Sequence, residues 1–342
     1  MVAYYRDQKF NPVFIDVEDP AVWKDHVAKR ETLYTTHLGI PLGLLKDKDV
    51  LEFGCNTGEN ALVLAHYGAR LTLVEPNELA KARLMELFHR FGKTSSILRY
   101  SVDDVNSFRS GILFDVVIAE GFMSTIKEKV AALRKIISLM APGGIGVVSF
   151  NDYVGGEIEL TKKRILYSAY QKAGIKDVHS TEALDIARDY FEEDFLKLNA
   201  SRTFETWWKD TLVSPVYTTE TTWTYMEVFM ALNLAGIDVH GTSPVWSKAN
   251  HYSWYKNPRQ GNSKWQEELG ENTSFFKTGL RRTPTNDMLH NFLIREISII
   301  NVIINSGTHD ELLKAYKGSM LLRELWGTPY HYISFTKPVV IS

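Results

Sequence analysis

Cysteine is nearly absent: Cys55 stands alone among 342 residues. One thiol excludes an internal disulfide and any zinc site built on several thiolates. An excess of charge of either sign is missing too, since 39 Lys and Arg face 41 Asp and Glu, for a net charge of −2. Proteins that track a phosphate backbone ordinarily carry a clustered cationic face, so this balance argues against a nucleic-acid partner. Long apolar runs are also missing. The stretch Ile297 to Ile304 is broken by Ser298 and Asn301 and follows Arg295 and Glu296, too short to span a bilayer. Met1 to Phe10 is polar and aromatic, without the apolar centre of a signal peptide. These absences predict a cytoplasmic protein with no membrane span. What is present, 44% apolar and 23% charged residues, suits a globular chain with a sizeable core.

The chain changes rhythm twice. Residues 1–49 predict an N-terminal helical lid segment, starting at Asp19-Pro20, running through Arg30 to Thr36 and broken by Pro41 and Gly43. From Val50 to Phe150 short apolar runs alternate with helical spacing. Strands are predicted at Val50–Phe53, Leu71–Val74, Ile97–Tyr100, Asp115–Ala119 and Ile145–Phe150. Between them, Asn77 caps a helix whose inner face is Leu84, Leu87, Phe88 and Phe91. A second face reads Ile126, Val130, Leu133, Ile137 and Met140, closed by Pro142-Gly143. Strands alternating with helices give an α/β fold with a doubly wound, mostly parallel sheet of Rossmann-like type. Residues 50–256 are expected to form this domain, with a helical insertion at about 157–235 and a strand pair at 236–256. Residues 257–285 read as polar loop, and 257–342 as a helical C-terminal extension with one apolar face at Leu289, Leu293, Ile297, Ile300 and Ile304 and further helix from Asp310 to Leu325.

The chemistry concentrates in Val50-Leu-Glu-Phe-Gly-Cys-Asn-Thr-Gly-Glu. A strand runs through Glu52 into a turn at Gly54, Cys55, Asn56 and Gly58, and a helix follows. Glycines there allow a sharp turn and close backbone approach to a ligand at the carboxyl end of the first strand. A dinucleotide fingerprint would need glycine at Asn56 and Glu59, and Glu59 would repel a pyrophosphate at the helix start. No G-x-x-x-x-G-K-[ST] loop exists either. S-adenosyl-L-methionine carries a sulfonium and no phosphate, so an acidic helix start is compatible with it. Glu75, followed by Pro76, ends the second strand, where a carboxylate can accept both ribose hydroxyls. Asp103 or Asp104 follows the third strand, in reach of an adenine amino group. Glu120 and Gly121 end the fourth, beside the methionine part of the cofactor.

Glu-x-Gly-x-x-x-Gly, the strand-end Glu, Asp-Asp, Phe-Asp-Val-Val and Ala-Pro-Gly-Gly occur in that order over residues 45–150. This resembles the class I S-adenosylmethionine-dependent methyltransferases, with Asn56 where many members have glycine; Asn also adopts left-handed angles. The resemblance implies a seven-stranded sheet with a reversed last strand, closed by the pair at 236–256. A narrower likeness, to methyltransferases among bacterial surface-polysaccharide enzymes, rests on Lys29-Arg-Glu-Thr-Leu-Tyr, Leu38-Gly-Ile-Pro, Trp207-Trp208-Lys209-Asp210, Gly241-Thr-Ser-Pro and Trp254-Tyr-Lys. It implies that Arg30 and Tyr34 close over the cofactor, with Arg30 near the methionine carboxylate.

The expected reaction is O-methylation of a small-molecule or saccharide acceptor, with Asp152, Asp210 or a histidine as base. Trp207 and Trp208 are read as core side chains or as part of an acceptor pocket. The oxygens of Glu120, Asn151 and Asp152 could converge on a magnesium ion, but this pattern is not favoured as a metal site. The rival readings are a non-catalytic S-adenosylmethionine-binding protein, a Rossmann oxidoreductase, and an RNA or protein methyltransferase of the same fold.

Overall fold

The computed structural model describes residues 15–198, 202–243, 307–326 and 330–339, with isolated residues at 4, 7 and 302. The expected strand in 251–256, the polar stretch 257–285 and the helix over Leu289 to Ile304 lie outside them.

Helix α1, Pro20–Glu31, starts where Asp19 accepts the Ala21 and Val22 N–H groups, at 2.7 and 3.3 Å, with Pro at the first helical position. It runs on into a π-helical turn, Thr32–His37. Then β1 (Asp49–Phe53), α2 (Glu59–His66), β2 (Arg70–Val74), α3 (Leu79–Arg90), β3 (Ile97–Ser101), β4 (Phe114–Ala119), α4 (Lys129–Ser138) and β5 (Met140–Asn151) follow. The insertion holds α5 (Tyr153–Ala173), α6 (Thr181–Lys197) and α7 (Tyr225–Leu234). Strand β6 (Asp238–Ser243), helix α8 (His309–Trp326) and strand β7 (Tyr330–Thr336) complete the described chain.

The sheet has seven strands in the order β3-β2-β1-β4-β5-β7-β6. Strands β1 to β5 pair parallel, and β6 pairs antiparallel with β7. The expected Rossmann-like α/β sheet is therefore present, with its switch point between β1 and β4 opening a crevice at the carboxyl edge. The closing pair differs from expectation. Strand β6 lies inside 236–256, but its partner β7 comes from within 257–342, where helix alone was expected. The α4 face also differs: Ala132, Leu133, Ile136 and Ile137 are buried while Val130 is exposed, because the helix begins only at Lys129. Pro142-Gly143 lies inside β5 rather than closing that helix.

Two compact units emerge. One comprises the described residues of Met1–Phe150, Tyr225–Gln266 and His331–Ser342; the other those of Asn151–Thr224 and Glu267–Tyr330. In the first, one sheet face buries Val50, Leu71, Leu73, Val116 and Ile118 with the α2 residues Ala61 to Ala65 and with Tyr34 and Leu38. In the second, Ile165, Tyr170, Phe191, Phe195, Trp207, Trp208 and Leu312 make a separate core.

Candidate functional site

Strand β1 delivers its chain to the turn at Gly54, whose N–H bonds the Val74 carbonyl at 2.8 Å. Three residues of the turn are left-handed: Gly54 (φ 70°), Asn56 (φ 46°) and Gly58 (φ 92°). At Gly54 a Cβ would lie 2.8 Å from the Phe122 ring, and at Gly58 2.8 Å from Leu84 Cγ, so both positions need glycine for space as well as for φ. Asn56 takes the left-handed conformation that the sequence asked of it, and its N–H bonds Glu75 Oε2 at 2.9 Å. Glu75 Oε1 accepts the Asn77 N–H at 2.8 Å. The acid after β2 is thereby fixed to the β1 loop, and each of its oxygens keeps a lone pair for a further donor. Burial lifts the Glu75 carboxyl, and these two N–H groups pull it back down; the net shift is upward.

Side chains alternate along strands, and in parallel pairs the aligned residues share a face. Glu52 aligns with Leu73 on β2 and with Ile118 on β4. Continuing the alternation, Glu75 and Glu120 fall on the same face, one rung further. The apolar face of the sheet thus ends at its carboxyl edge in three buried acids. Glu120 is clamped by Arg30, with Nη1 to Oε2 at 2.7 Å and Nη2 to Oε1 at 2.6 Å, and by the Tyr34 hydroxyl at 2.5 Å. Burial would raise Glu120, but the Arg30 charge and these hydrogen bonds outweigh it and hold the carboxyl below its usual range. Gly121 (φ 82°) donates its N–H to Ser149 Oγ at 2.9 Å.

Among the described residues Glu52 has no such partner. Its Oε2 is buried and unbonded, and burial followed by the charges of Glu120 and Glu75, against Arg30, pushes the carboxyl up to about 8. Cys55 is buried, and its thiol is lifted well above the usual range by burial, then by Glu52 and Glu75. Glu59 is buried and accepts the Thr57 hydroxyl at 2.6 Å.

After β3, Asp103 accepts the hydroxyls of Ser101 and Ser107, whereas Asp104 is exposed and binds the N–H groups of Asn106 and Ser107 at 2.7 and 2.9 Å, a turn former. Pro76 is half-buried.

His26 is one of the chain's scattered histidines, which the sequence marks as mostly structural or exposed. It shares a helix face with Arg30 and Tyr34 at spacings of four, the one signal available. Its Nε2 is buried without a partner, and burial, then Arg30, drives the imidazole down to about 4, so it is neutral at neutral pH.

In the second unit, Asp152 is buried, accepts the Gly155 N–H at 3.1 Å and forms a strand bridge with Trp223. Asp210 is bound by Arg202 at 2.6 Å. Trp208 donates Nε1–H to the Tyr170 hydroxyl at 2.9 Å, and Trp207 packs on Phe195 and Phe204. Both tryptophans are buried in the core of this unit. Among the described residues no group of three or more His, Cys, Asp and Glu is placed to hold a metal ion.

Residues 29–185 match the family described as "Methyltransferase domain". Among curated proteins none matches the chain. Among solved structures, it is similar to the CcbJ methyltransferase from Streptomyces caelestis, at 25% identity over 33% of this chain and 47% of that one, with a TM-score of 0.31. It is similar to the N-methyltransferase NodS from Bradyrhizobium japonicum WM9 in complex with S-adenosyl-L-homocysteine, at 18% identity over 44% and 74%, TM-score 0.34. It is also similar to the [4+2]-cyclase SpnF, at 15% identity over 91% and 80%, TM-score 0.43. The match spans about half the length of the first of these.

Proposed function

We propose that this chain, whose residues 29–185 match the family described as "Methyltransferase domain", is a class I S-adenosylmethionine-dependent methyltransferase that transfers a methyl group from S-adenosyl-L-methionine to an oxygen of a small-molecule or saccharide acceptor. The observation that carries the cofactor reading is the tie between the β1 loop and Glu75, in which left-handed Asn56 donates to the acid after β2. Glu75 and the Gly54–Gly58 turn would hold the nucleoside, and Asp103 the adenine edge. Glu52, Glu120 and Gly121, with Arg30, Tyr34 and Cys55 around them, would surround the amino-acid end. When bound, the cofactor supplies a methyl group already activated on a sulfonium.

The protein's task is then to hold donor and acceptor at attacking distance and to exclude water. An alcohol acceptor also needs a base. Of Asp152 and Asp210, Asp152 directly follows β5 and is the residue we carry forward; Asp210 is engaged by Arg202. The saccharide acceptor rests on the surface-polysaccharide likeness and on the near-neutral charge. No helix among the described residues is long and apolar enough to cross a membrane.

Calorimetry with S-adenosyl-L-homocysteine and with NAD tests the site. Heat from the first alone is expected, whereas micromolar NAD binding without it overturns the reading. Methyl transfer from labelled cofactor to a panel of sugars, set against an RNA panel, tests the acceptor class.

A further inference from the structure

We propose that Glu52 is the residue by which this site distinguishes the sulfonium donor from its thioether product, by setting an ionised carboxylate against the donor's additional positive charge. The inference rests on the cofactor reading above and concerns the amino-acid end of the same site.

The geometry begins with the sheet. Glu52 is the penultimate residue of β1, an inner strand at the switch point, and aligns with Leu73 and Ile118 on its two neighbours. Strand spacing is about 4.8 Å, so Glu75 and Glu120, one rung on and on the same face, leave three carboxylates within a small volume. Glu52 is only 2% exposed. The groups facing it are Glu120 and Glu75 from the strand ends, Arg30 and Tyr34 from the N-terminal helix and its π-turn, and Cys55 from the loop. Their hydrogen bonds are already assigned. Arg30 gives both Nη groups to Glu120, the Tyr34 hydroxyl goes to Glu120, and Glu75 is held by two backbone N–H groups. Among the described residues, the one cation of the cluster thus neutralises Glu120, and Glu52 Oε2 is left buried with no bond.

The charge count follows. With Glu75 and Glu120 ionised against Arg30, the cluster stands at −1 when Glu52 is protonated and −2 when it is not. The donor carries a carboxylate, an ammonium and a sulfonium, net +1; the product lacks the sulfonium and is net zero. A buried carboxylate without a counter-charge takes a proton instead, which is the condition in which Glu52 is found, with its carboxyl pushed up to about 8. The ammonium is common to donor and product, so only a sulfonium seated beside Glu52 would differ between them; it would favour ionisation and release one proton: Glu52–COOH plus donor cation gives Glu52–COO⁻ paired with donor cation, plus H⁺. When the methyl group has moved to the acceptor oxygen, which gives up its own proton, the sulfonium is gone. Ionised Glu52 then takes up a proton beside a neutral thioether. The site matches donor charge in one protonation state and product charge in the other.

The sign of the pH dependence is fixed by this scheme. Below about pH 8 donor binding must displace a proton, so it tightens as pH rises, by at most about tenfold per unit for one proton. Product binding displaces none. The test is titration calorimetry between pH 6 and 8.5, in buffers of different ionisation enthalpy, with S-adenosyl-L-methionine, S-adenosyl-L-homocysteine and sinefungin, which has an ammonium-bearing carbon in place of the sulfonium. The two cationic ligands are expected to tighten with pH and to release close to one proton at the acid end, while the product's affinity stays within about threefold. In Glu52→Gln the donor-to-product affinity ratio is expected to fall about tenfold or more and to lose its pH dependence; Glu52→Asp keeps it. Parallel pH profiles for donor and product in the unmodified protein overturn the proposal even if Glu52→Gln does not fold, as does an unchanged ratio in a folded Glu52→Gln. If neither nucleoside binds at any pH, the cofactor reading falls and this inference falls with it.

Discussion

Glu75 shows how far one side chain can be argued. Both of its oxygens accept backbone N–H groups, from Asn56 and Asn77, so replacing it releases the loop that Asn56 closes and, on the proposed reading, removes an acceptor for ribose hydroxyls. Loss of a hydrogen bond to a charged group costs about 1.5–3 kcal/mol, on the order of 10- to 100-fold in affinity. Glu75→Ala is expected to weaken S-adenosyl-L-homocysteine by that factor in calorimetry while circular dichroism remains that of the unmodified protein. An unchanged dissociation constant in a folded variant would remove the ribose assignment. Glu75 was legible because the end of a short apolar run, Leu71 to Val74, marks its place in the sequence. The Arg30–Glu120 clamp was not. Its partners are 90 positions apart, and no spacing rule links a helix on the N-terminal segment to the end of a fourth strand. For the same reason Asp104 looked equal to Asp103, although only the structure shows its carboxylate turned to its own loop.

The elements themselves divide along similar lines. Strands β1 to β4 were readable as short apolar runs bounded by turns, and α3 by Leu84, Leu87 and Phe88 on one face, all buried. What local pattern could not supply was pairing. Nothing in Tyr330–Thr336 announces that it inserts between β5 and β6, so a nearer segment was assigned its place. The β1 loop offers a test at this scale, since its chemistry is backbone conformation. Asn56 holds φ 46°, a value glycine adopts freely and β-branched residues resist. Gly58 combines φ 92° with a Cβ position 2.8 Å from Leu84. Thermal melts are expected to place Asn56→Gly within about 1 kcal/mol of the unmodified protein, and Gly58→Ala about 1–3 kcal/mol below it. Equal melting of Gly58→Ala and the unmodified protein would show that the turn does not need its left-handed glycine.

At the scale of the whole molecule, the second unit gathers several of the chain's aromatic residues, Trp207 and Trp208 among them, into a core of its own. Helices α5, α6 and α8, with the segment through Trp207 and Trp208, bury Tyr170, Phe191, Phe195 and Leu312 together. They also enclose Lys162, whose ammonium lies 3.6 Å from Glu159 and from Asp194, and 5.1 Å from the Trp207 ring. A buried cation needs opposite charge beside it, and the Trp207 ring adds a cation–π contact, so this large flat side chain has a structural role here. Composition could signal an aromatic-rich region but could not separate a core from an acceptor pocket, because both call for the same residues. Stability measurements separate them. Trp208 is 1% exposed and donates to Tyr170. Trp208→Ala is therefore expected to destabilise the protein by about 3–5 kcal/mol in denaturant titration, and Trp208→Phe by less, since the ring volume is largely kept and only the hydrogen bond is lost. Any loss of methyl transfer in Trp208→Ala should then follow the unfolded fraction and recover on cooling. A variant as stable as the unmodified protein, yet with turnover abolished at every temperature, would return Trp208 to the acceptor pocket.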